Sequence, residues 1–273
     1  MKEYSVLMSV YAKEKAAYFE QSIKSMMQQS IPPKDFVIVC DGPLTQELDE
    51  VIEKKKSQYP EIFQIVRIET CGGLGKALAK GIQYCRYELV ARMDSDDVSS
   101  PDRCEKQLQI FDREDIAIVG GNITEFEGNV SNIKNRRCVP KTNAEIKKFA
   151  RRRNPFNHPS VMFRKEDVLK AGNYQDCKGF EDYYLWVRML NQGMKGYNIQ
   201  EDLVSMRTDA GMYKRRGSFS YACQALRARW KIHKTGFSSF GDFLVSGMGQ
   251  VFVAVIPVSL RTKVYGKVLR KEG

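Results

Sequence analysis

Two rhythms of apolar and polar positions alternate along the first hundred residues. Largely apolar runs of strand length fall at Tyr4 to Val10, Phe36 to Cys40 and Leu89 to Met93, the pattern of buried strands, and Phe63 to Glu69 gives a further strand. Between them apolar residues recur at helical spacing. Phe19, Ile23, Met26 and Met27 predict a helix from Ala17 to Gln29, closed by Pro32-Pro33. A second spans Gln46 to Tyr59 behind Thr45 as its cap, and a third runs from Lys76 to Cys85 after the loop Gly72-Gly73-Leu74-Gly75. This β-α-β-α alternation calls for an α/β fold with right-handed crossovers and a mainly parallel sheet, whose ligand site lies beyond the carboxyl ends of the strands. Asp41, the glycine loop and Asp94 to Asp97 all follow strands, so they share one rim.

From Pro101 onward the pattern loosens. Ser100 caps a helix expected to have Pro101 at its first position and to reach Phe111. A short strand Ile116 to Val119 precedes Gly120-Gly121, and Ile123 to Phe126 with Val130 to Ile133 reads as a hairpin around Gly128-Asn129. Thr142-Asn143-Ala144-Glu145 has capping-box spacing and opens a helix running into Arg151-Arg152-Arg153. Then come Asn157-His158-Pro159, a strand Ser160 to Phe163 and a helix Glu166 to Ala171. A last helix enters at Phe180-Glu181-Asp182, buries Leu185, Trp186, Met189 and Leu190, and stops at Gly193.

Charge adds a second layer. Lys and Arg total 44 against 33 Asp and Glu, a formal +11, which suits a polyanionic partner: nucleic acid, an anionic membrane or a phosphorylated substrate. The 7 cysteines are scattered without a C-x-x-C pair, so neither a disulfide framework nor a zinc site is indicated, and a reducing cytoplasm is the expected setting. The N-terminus enters a strand at once and carries no signal-peptide pattern.

The chemistry concentrates at Asp94-Ser95-Asp96-Asp97. Three carboxylates on one strand tip repel one another unless a cation sits among them. With only oxygen donors at hand, Mg²⁺ or Mn²⁺ fits better than Zn²⁺, and such ions take one or two carboxylates plus substrate phosphates. A solvated acidic turn would carry the same residues. Gly72-Gly73-Leu74-Gly75-Lys76 looks like a phosphate-binding P-loop, but Thr70 stands where its first glycine belongs and Ala77 where a metal-binding hydroxyl is needed. A tight turn explains it, although a helix N-terminus after glycines can still approach a diphosphate. Glu181 and Asp182 open a helix, where the dipole favours carboxylates, yet Phe180, Tyr183, Tyr184 and Trp186 beside them suggest the edge of a cleft. His158 and His233 are the 2 histidines. His158 has no partner at zinc spacing, and completing a metal shell, contacting an acceptor or a hydrogen-bonded loop role all remain open for it.

Taken in order, these segments resemble the inverting family 2 glycosyltransferases of GT-A fold that build bacterial capsule, exopolysaccharide and O-antigen chains. The likeness rests on Ser5 to Tyr11, Val39-Cys40-Asp41-Gly42-Pro43, Gly73 to Leu78, Ala91 to Asp97, Pro101-Asp102-Arg103, His158 to Lys165 and Glu181 to Trp186, and covers residues 4 to 210. It implies a UDP-linked nucleotide-sugar donor and a saccharide acceptor on a polyprenyl diphosphate. It also implies that Val10, Tyr11 and Asp41 hold the base, that Gly73 lies at the donor, and that Asp94 lies near the ribose. Asp96 would coordinate the metal with Asp97 assisting, and Asp182 with Glu181 beside it would be the general base. Cys40, Leu78 and Ala79 depart from the family pattern at one base contact and one diphosphate contact. The nearest alternatives are a sugar-phosphate nucleotidyltransferase, which the loop Tyr11-Ala12-Lys13-Glu14 does not resemble, and a non-catalytic polyanion or nucleic-acid binder using Arg151-Arg152-Arg153.

After this catalytic part, residues 211–273 read as a basic helical extension. Ser218 to Lys234 is amphipathic, with Arg227, Arg229, Lys231 and Lys234. Phe243 to Leu260 is apolar and uncharged, and Arg261, Lys263, Lys267, Arg270 and Lys271 follow. That stretch is at the lower limit of a membrane span, and lying in the interface of an anionic membrane suits it better. Packing on the catalytic domain is the other expectation.

Overall fold

The computed structural model describes residues 2–113, 115–208 and 219–255. Its elements are β1 (Tyr4–Val10), α1 (Ala16–Met27), β2 (Asp35–Asp41), α2 (Gln46–Gln58), β3 (Phe63–Ile68), α3 (Leu74–Gly81), β4 (Leu89–Asp94), β5 (Val98–Ser99) and α4 (Arg103–Arg113). There follow β6 (Ile118–Phe126), β7 (Ile133–Arg137), α5 (Asn143–Ala150), β8 (Met162–Arg164), α6 (Lys165–Lys170), α7 (Glu181–Asn191), β9 (Gly196–Arg207), α8 (Phe219–Lys234) and α9 (Phe240–Val255). One sheet runs in the order β3-β2-β1-β4-β8-β6-β9-β5, with β7 also paired to β6.

The first four strands are parallel, as their alternation with helices requires. β8 then enters antiparallel to both β4 and β6, and β9 lies parallel to β6. The side-chain period of two divides the core between the sheet's faces. Val6, Met8 and Val10 join α1, α2 and α4 through Phe19, Leu48 and Leu108. Leu7, Val37 and Val39 join α3, α5 and α7 through Leu78, Ile146 and Trp186.

Several boundaries move, each for a local reason. The helix after the acidic tip begins at Arg103 and not at Pro101, because the Ser100 hydroxyl donates to Asp102 Oδ1 at 2.6 Å and holds residues 101–102 in a turn. α3 starts at Leu74, before the expected Lys76, and gives way at Ile82–Tyr84 to a 3₁₀ turn. β6 runs unbroken through Gly120-Gly121, and its hairpin partner begins at Ile133, not Val130. β5 and β9 were not expected; β9 has a mixed polar sequence whose exposed Gln200 and Glu201 interrupt its buried positions. The capping box at Thr142 and Glu145 forms in full.

α8 packs on α7 through Ile232, Tyr183 and Val187. At the start of α9, Asp242 pairs with Arg151 and Arg152 at the end of α5, at 3.0 and 2.7 Å. The expected boundary at residues 210 and 211 lies outside the described residues, as does the basic tail from Arg261 to Lys271.

Candidate active site

β4 delivers the acidic tip. Arg92 and Asp94 stand two apart on the strand and therefore on one side of the sheet. The Arg92 guanidinium, 1% exposed, grips Asp94 with both terminal nitrogens, Nη1 donating to Oδ2 at 2.6 Å and Nη2 to Oδ1. Asp96 is partly exposed beside it. Burial, then the Asp94 and Glu14 carboxylates, push its pKa up to about 7, against the pull of its own backbone and Arg92. Asp97 turns the other way, 1% exposed: its Oδ1 accepts the Arg207 backbone N–H at 2.8 Å, and its Oδ2 is buried with no protein donor. Burial, with Asp94 and Asp96 adding to it, raises the Asp97 pKa well above the ordinary range. Asp97 is thus the buried member of the tip, tied to β9 through Arg207.

Arg207, last residue of β9, fastens this tip. Its Nε donates to the Asp96 carbonyl at 3.0 Å and its Nη2 to Gln21 Oε1 at 2.7 Å, while the guanidinium lies 3.8 Å from the ring centre of Tyr18 and 4.6 Å from that of Phe126. Among the described residues no three His, Cys, Asp or Glu side chains converge as a complete metal cage. The donor set nonetheless fits a hard divalent cation. Asp96 is a half-hidden oxygen ligand whose charge is opposed by neighbouring carboxylates, and such an ion draws its remaining ligands from phosphate and water.

Beside the tip, Asp41 pins the glycine loop. Its Oδ1 accepts the Gly72 N–H at 2.7 Å, and its Oδ2 accepts the Gly73 N–H at 2.9 Å and the Cys71 thiol at 3.3 Å. Gly73 turns at φ +90°, open to glycine, and α3 begins at the next residue. Val10, buried at the end of β1, and exposed Tyr11 form the adjoining rim. At Gly75 an added Cβ would stand 2.7 Å from Glu181 Cγ. The missing side chain is what lets the N-termini of α3 and α7 meet.

Where they meet, a cleft of about 300 Å³ opens, with His158, Tyr174, Glu181 and Asp182 in its walls and Leu74, Gly75 and Leu78 along one side. Asp182 Oδ2 accepts the Asn154 amide at 2.6 Å. Burial raises the Asp182 pKa, offset in part by the Tyr183 backbone, Asn154, Arg92 and Arg137. Burial likewise raises Glu181. His158 Nε2 lies 3.1 Å from the Tyr174 hydroxyl, and its ring meets Trp186 edge-on. Burial first, then Arg92, drives its pKa well below the usual value, so this imidazole is neutral. Tyr174 feels Arg92, Asp182 and Asp94 at once. The buried Arg92 guanidinium is thus a shared positive charge acting on Asp96, Asp97, His158, Tyr174 and Asp182.

Of the expected residues, Glu181, Asp182 and His158 line this cleft, Gly73 directly precedes its Leu74 and is held by Asp41, and Asp94, Asp96, Val10 and Tyr11 are not among its lining residues. The sequence reading missed Arg92, Asn154, Tyr174 and Arg207. Arg92 alone had a signal: a charged residue inside an apolar strand is expensive to bury unless paired, and a carboxylate two residues on supplies the partner.

The model of glycosyl transferase family 2 matches residues 5–172. An Escherichia coli UDP-Gal:alpha-D-GlcNAc-diphosphoundecaprenol beta-1,3-galactosyltransferase is 34% identical over 98% of this chain and 97% of its own length. The amylovoran biosynthesis glycosyltransferase AmsE of Erwinia amylovora is 36% identical over 86% of this chain and 88% of its own. In fold, the chain resembles the mannosyltransferase PcManGT of Pyrobaculum calidifontis, solved with GDP-Man and Mn²⁺. The TM-score is 0.63 at 13% identity, covering 97% of this chain and 81% of the other.

Proposed function

The chain belongs to glycosyl transferase family 2 and is a glycosyltransferase, and on that premise we propose that it transfers a sugar with inversion from a UDP-sugar to a saccharide carried on a polyprenyl diphosphate, in bacterial surface-polysaccharide synthesis. The observation that carries this reading is the cleft lined by Asp182, Glu181 and His158, with the buried Arg92 that grips Asp94 acting electrostatically on both Asp182 and Asp96. Its diphosphate-linked acceptor and UDP donor are supported by the full-length likeness to the E. coli galactosyltransferase, whose name carries both.

The chain's own groups then divide the work. Val10, Tyr11 and Asp41 border the base, Asp94 lies toward the ribose, and the N-terminal amides of α3 after Gly73 favour the diphosphate. Asp96 would hold Mg²⁺ or Mn²⁺, which when bound supplies Lewis-acid neutralisation of the leaving diphosphate. Asp97 backs Asp96 from within. Asp182 takes the proton of the acceptor hydroxyl as that oxygen bonds to the anomeric carbon and the bond to the diphosphate breaks. Raised by burial, its carboxyl is a stronger base than a free aspartate. The Asn154 amide donates to its Oδ2. Neutral His158, with Tyr174, lines the acceptor side.

Such an acceptor would place the enzyme peripherally on the cytoplasmic face of the inner membrane. No helix among the described residues is long and apolar enough to cross a membrane. The test is a panel of nucleotide sugars assayed for Mn²⁺-dependent transfer of the sugar onto a polyprenyl-diphosphate-linked acceptor, with release of nucleoside diphosphate. Asp96→Asn and Asp182→Asn serve as controls. Turnover with no donor, or full turnover in both variants, overturns the proposal.

A further inference from the structure

The C-terminal helices display a face that none of the described residues covers. On α9, Phe240, Leu244, Val245 and Met248 are 54, 44, 49 and 64% exposed. They stand at i, i+4, i+5 and i+8, so they form one stripe. Single exposed apolar residues are ordinary; an aligned row on one helix marks a contact surface. The opposite side of α9 is occupied, with Gly247 against Leu226 of α8 and Phe243 edge-on to Trp230 at 5.4 Å. Trp230, itself 42% exposed, carries Lys234 over its ring at 5.7 Å.

We infer that this hairpin is a membrane-docking surface, with α9 lying in the plane of an anionic bilayer and α8 supplying its basic margin. Three observations select lipid over other occupants. First, Arg227 and Lys234 lie on the exposed side of α8, while Lys231 there is turned to the Asp176 carbonyl, and the chain as a whole carries +11. A second copy of the chain would bring the same positive charge against itself, whereas phosphatidylglycerol headgroups would neutralise it. Second, Trp230 has the indole and position of an interfacial anchor, an apolar ring beside a cationic amine. Third, the described part of α9 carries its exposed apolar stripe on one side and buried Asp242, paired with Arg151 and Arg152, on another. An amphipathic helix of this kind lies in the interface.

The hairpin is not a loose anchor. Asp242 clasps Arg151 and Arg152, and Asn154, which holds Asp182, follows shortly in the chain. Docking through α9 would therefore fix the orientation of the cleft to the bilayer, bringing it to a headgroup-borne acceptor. That consequence rests on the lipid-linked acceptor proposed above; the docking itself does not.

Sedimentation of the purified full chain with sucrose-loaded vesicles tests it. One set contains phosphatidylethanolamine with phosphatidylglycerol, the other phosphatidylcholine alone, and neither contains acceptor. The expected result is binding to the anionic set, weakened by salt, and reduced about tenfold or more in the double variant Leu244→Asp, Met248→Asp, which keeps wild-type transfer to a soluble acceptor analogue. Equal binding by that variant, with loss only when Arg261, Lys263, Lys267, Arg270 and Lys271 are all changed to Ser, would assign attachment to the tail and overturn the inference. So would a wild-type dimer that the double variant turns into a monomer. Vesicle binding together with no preference for a lipid-linked acceptor would leave the docking standing and overturn the acceptor reading.

Discussion

The Asn154 amide donates to Asp182 Oδ2 at 2.6 Å, across 28 residues of chain, and is the one side-chain hydrogen bond acting on that carboxylate. It favours the ionised form, while burial favours the neutral one. Removing the donor should raise the Asp182 pKa further above the ordinary 3.8. A base must be ionised to act, so the acid limb of the kcat profile should move to higher pH in Asn154→Ala. The KM for the donor should stay close to wild type. Asp182→Asn should lower kcat by about 10² to 10⁴ at pH values above that limb. An unshifted limb in Asn154→Ala would remove Asn154 from this role.

Because its Cβ would meet Glu181 Cγ at 2.7 Å and Glu181 Cβ at 3.1 Å, Gly75→Ala should press the starts of α3 and α7 apart. About 1–3 kcal/mol of stability should be lost, visible as a lower Tm. Adding Glu181→Ala should restore part of it, because the nearer of the two obstructing atoms is gone. Additive losses in the double-mutant cycle would contradict the contact.

Asp96 carries the metal assignment. In calorimetry, Mn²⁺ should tighten UDP binding to the wild type and have little effect on Asp96→Asn. Chelation of the wild-type enzyme should reproduce the variant. Metal-enhanced binding that survives the substitution would move the ligand role elsewhere.

Arg207 joins the end of β9 to the acidic tip through planar stacking and several directed hydrogen bonds. Arg207→Lys keeps the charge but loses the fork. It should lower Tm and raise the donor KM nearly as much as Arg207→Met. Full rescue by lysine would show that charge alone suffices.

The half of the fold legible in the sequence is the half whose strands are buried on both faces. β1, β2 and β4 are nearly pure apolar runs, and the carboxylates at their ends were placed by topology. β9 escaped because Gln200, Glu201 and Asp202 interrupt it where its register with β6 shifts. The hairpin start slipped to Ile133 because residues 127–132 close their own turn, with Asn132 N–H bonding Asn129 O and Glu127 N–H bonding Asn132 O. Within the site, residues grouped along the chain were found, and those contributed singly from afar were not. Asn154 and Tyr174 lie in loops whose geometry no local pattern encodes. Asp97 could be read as an equal of Asp96 because a run of acids does not say which member turns inward; its bond from Arg207 decides that only after β9 is folded.

Asp242 has two duties at once. It accepts the Ser239 hydroxyl and backbone N–H, closing the first turn of α9, while its two oxygens hold Arg151 and Arg152. A chimera that transplants the hairpin from a relative would therefore inherit half of a handshake. Unless the arginines ending α5 travel with it, the graft arrives with a frayed first turn and two stranded cations on the host.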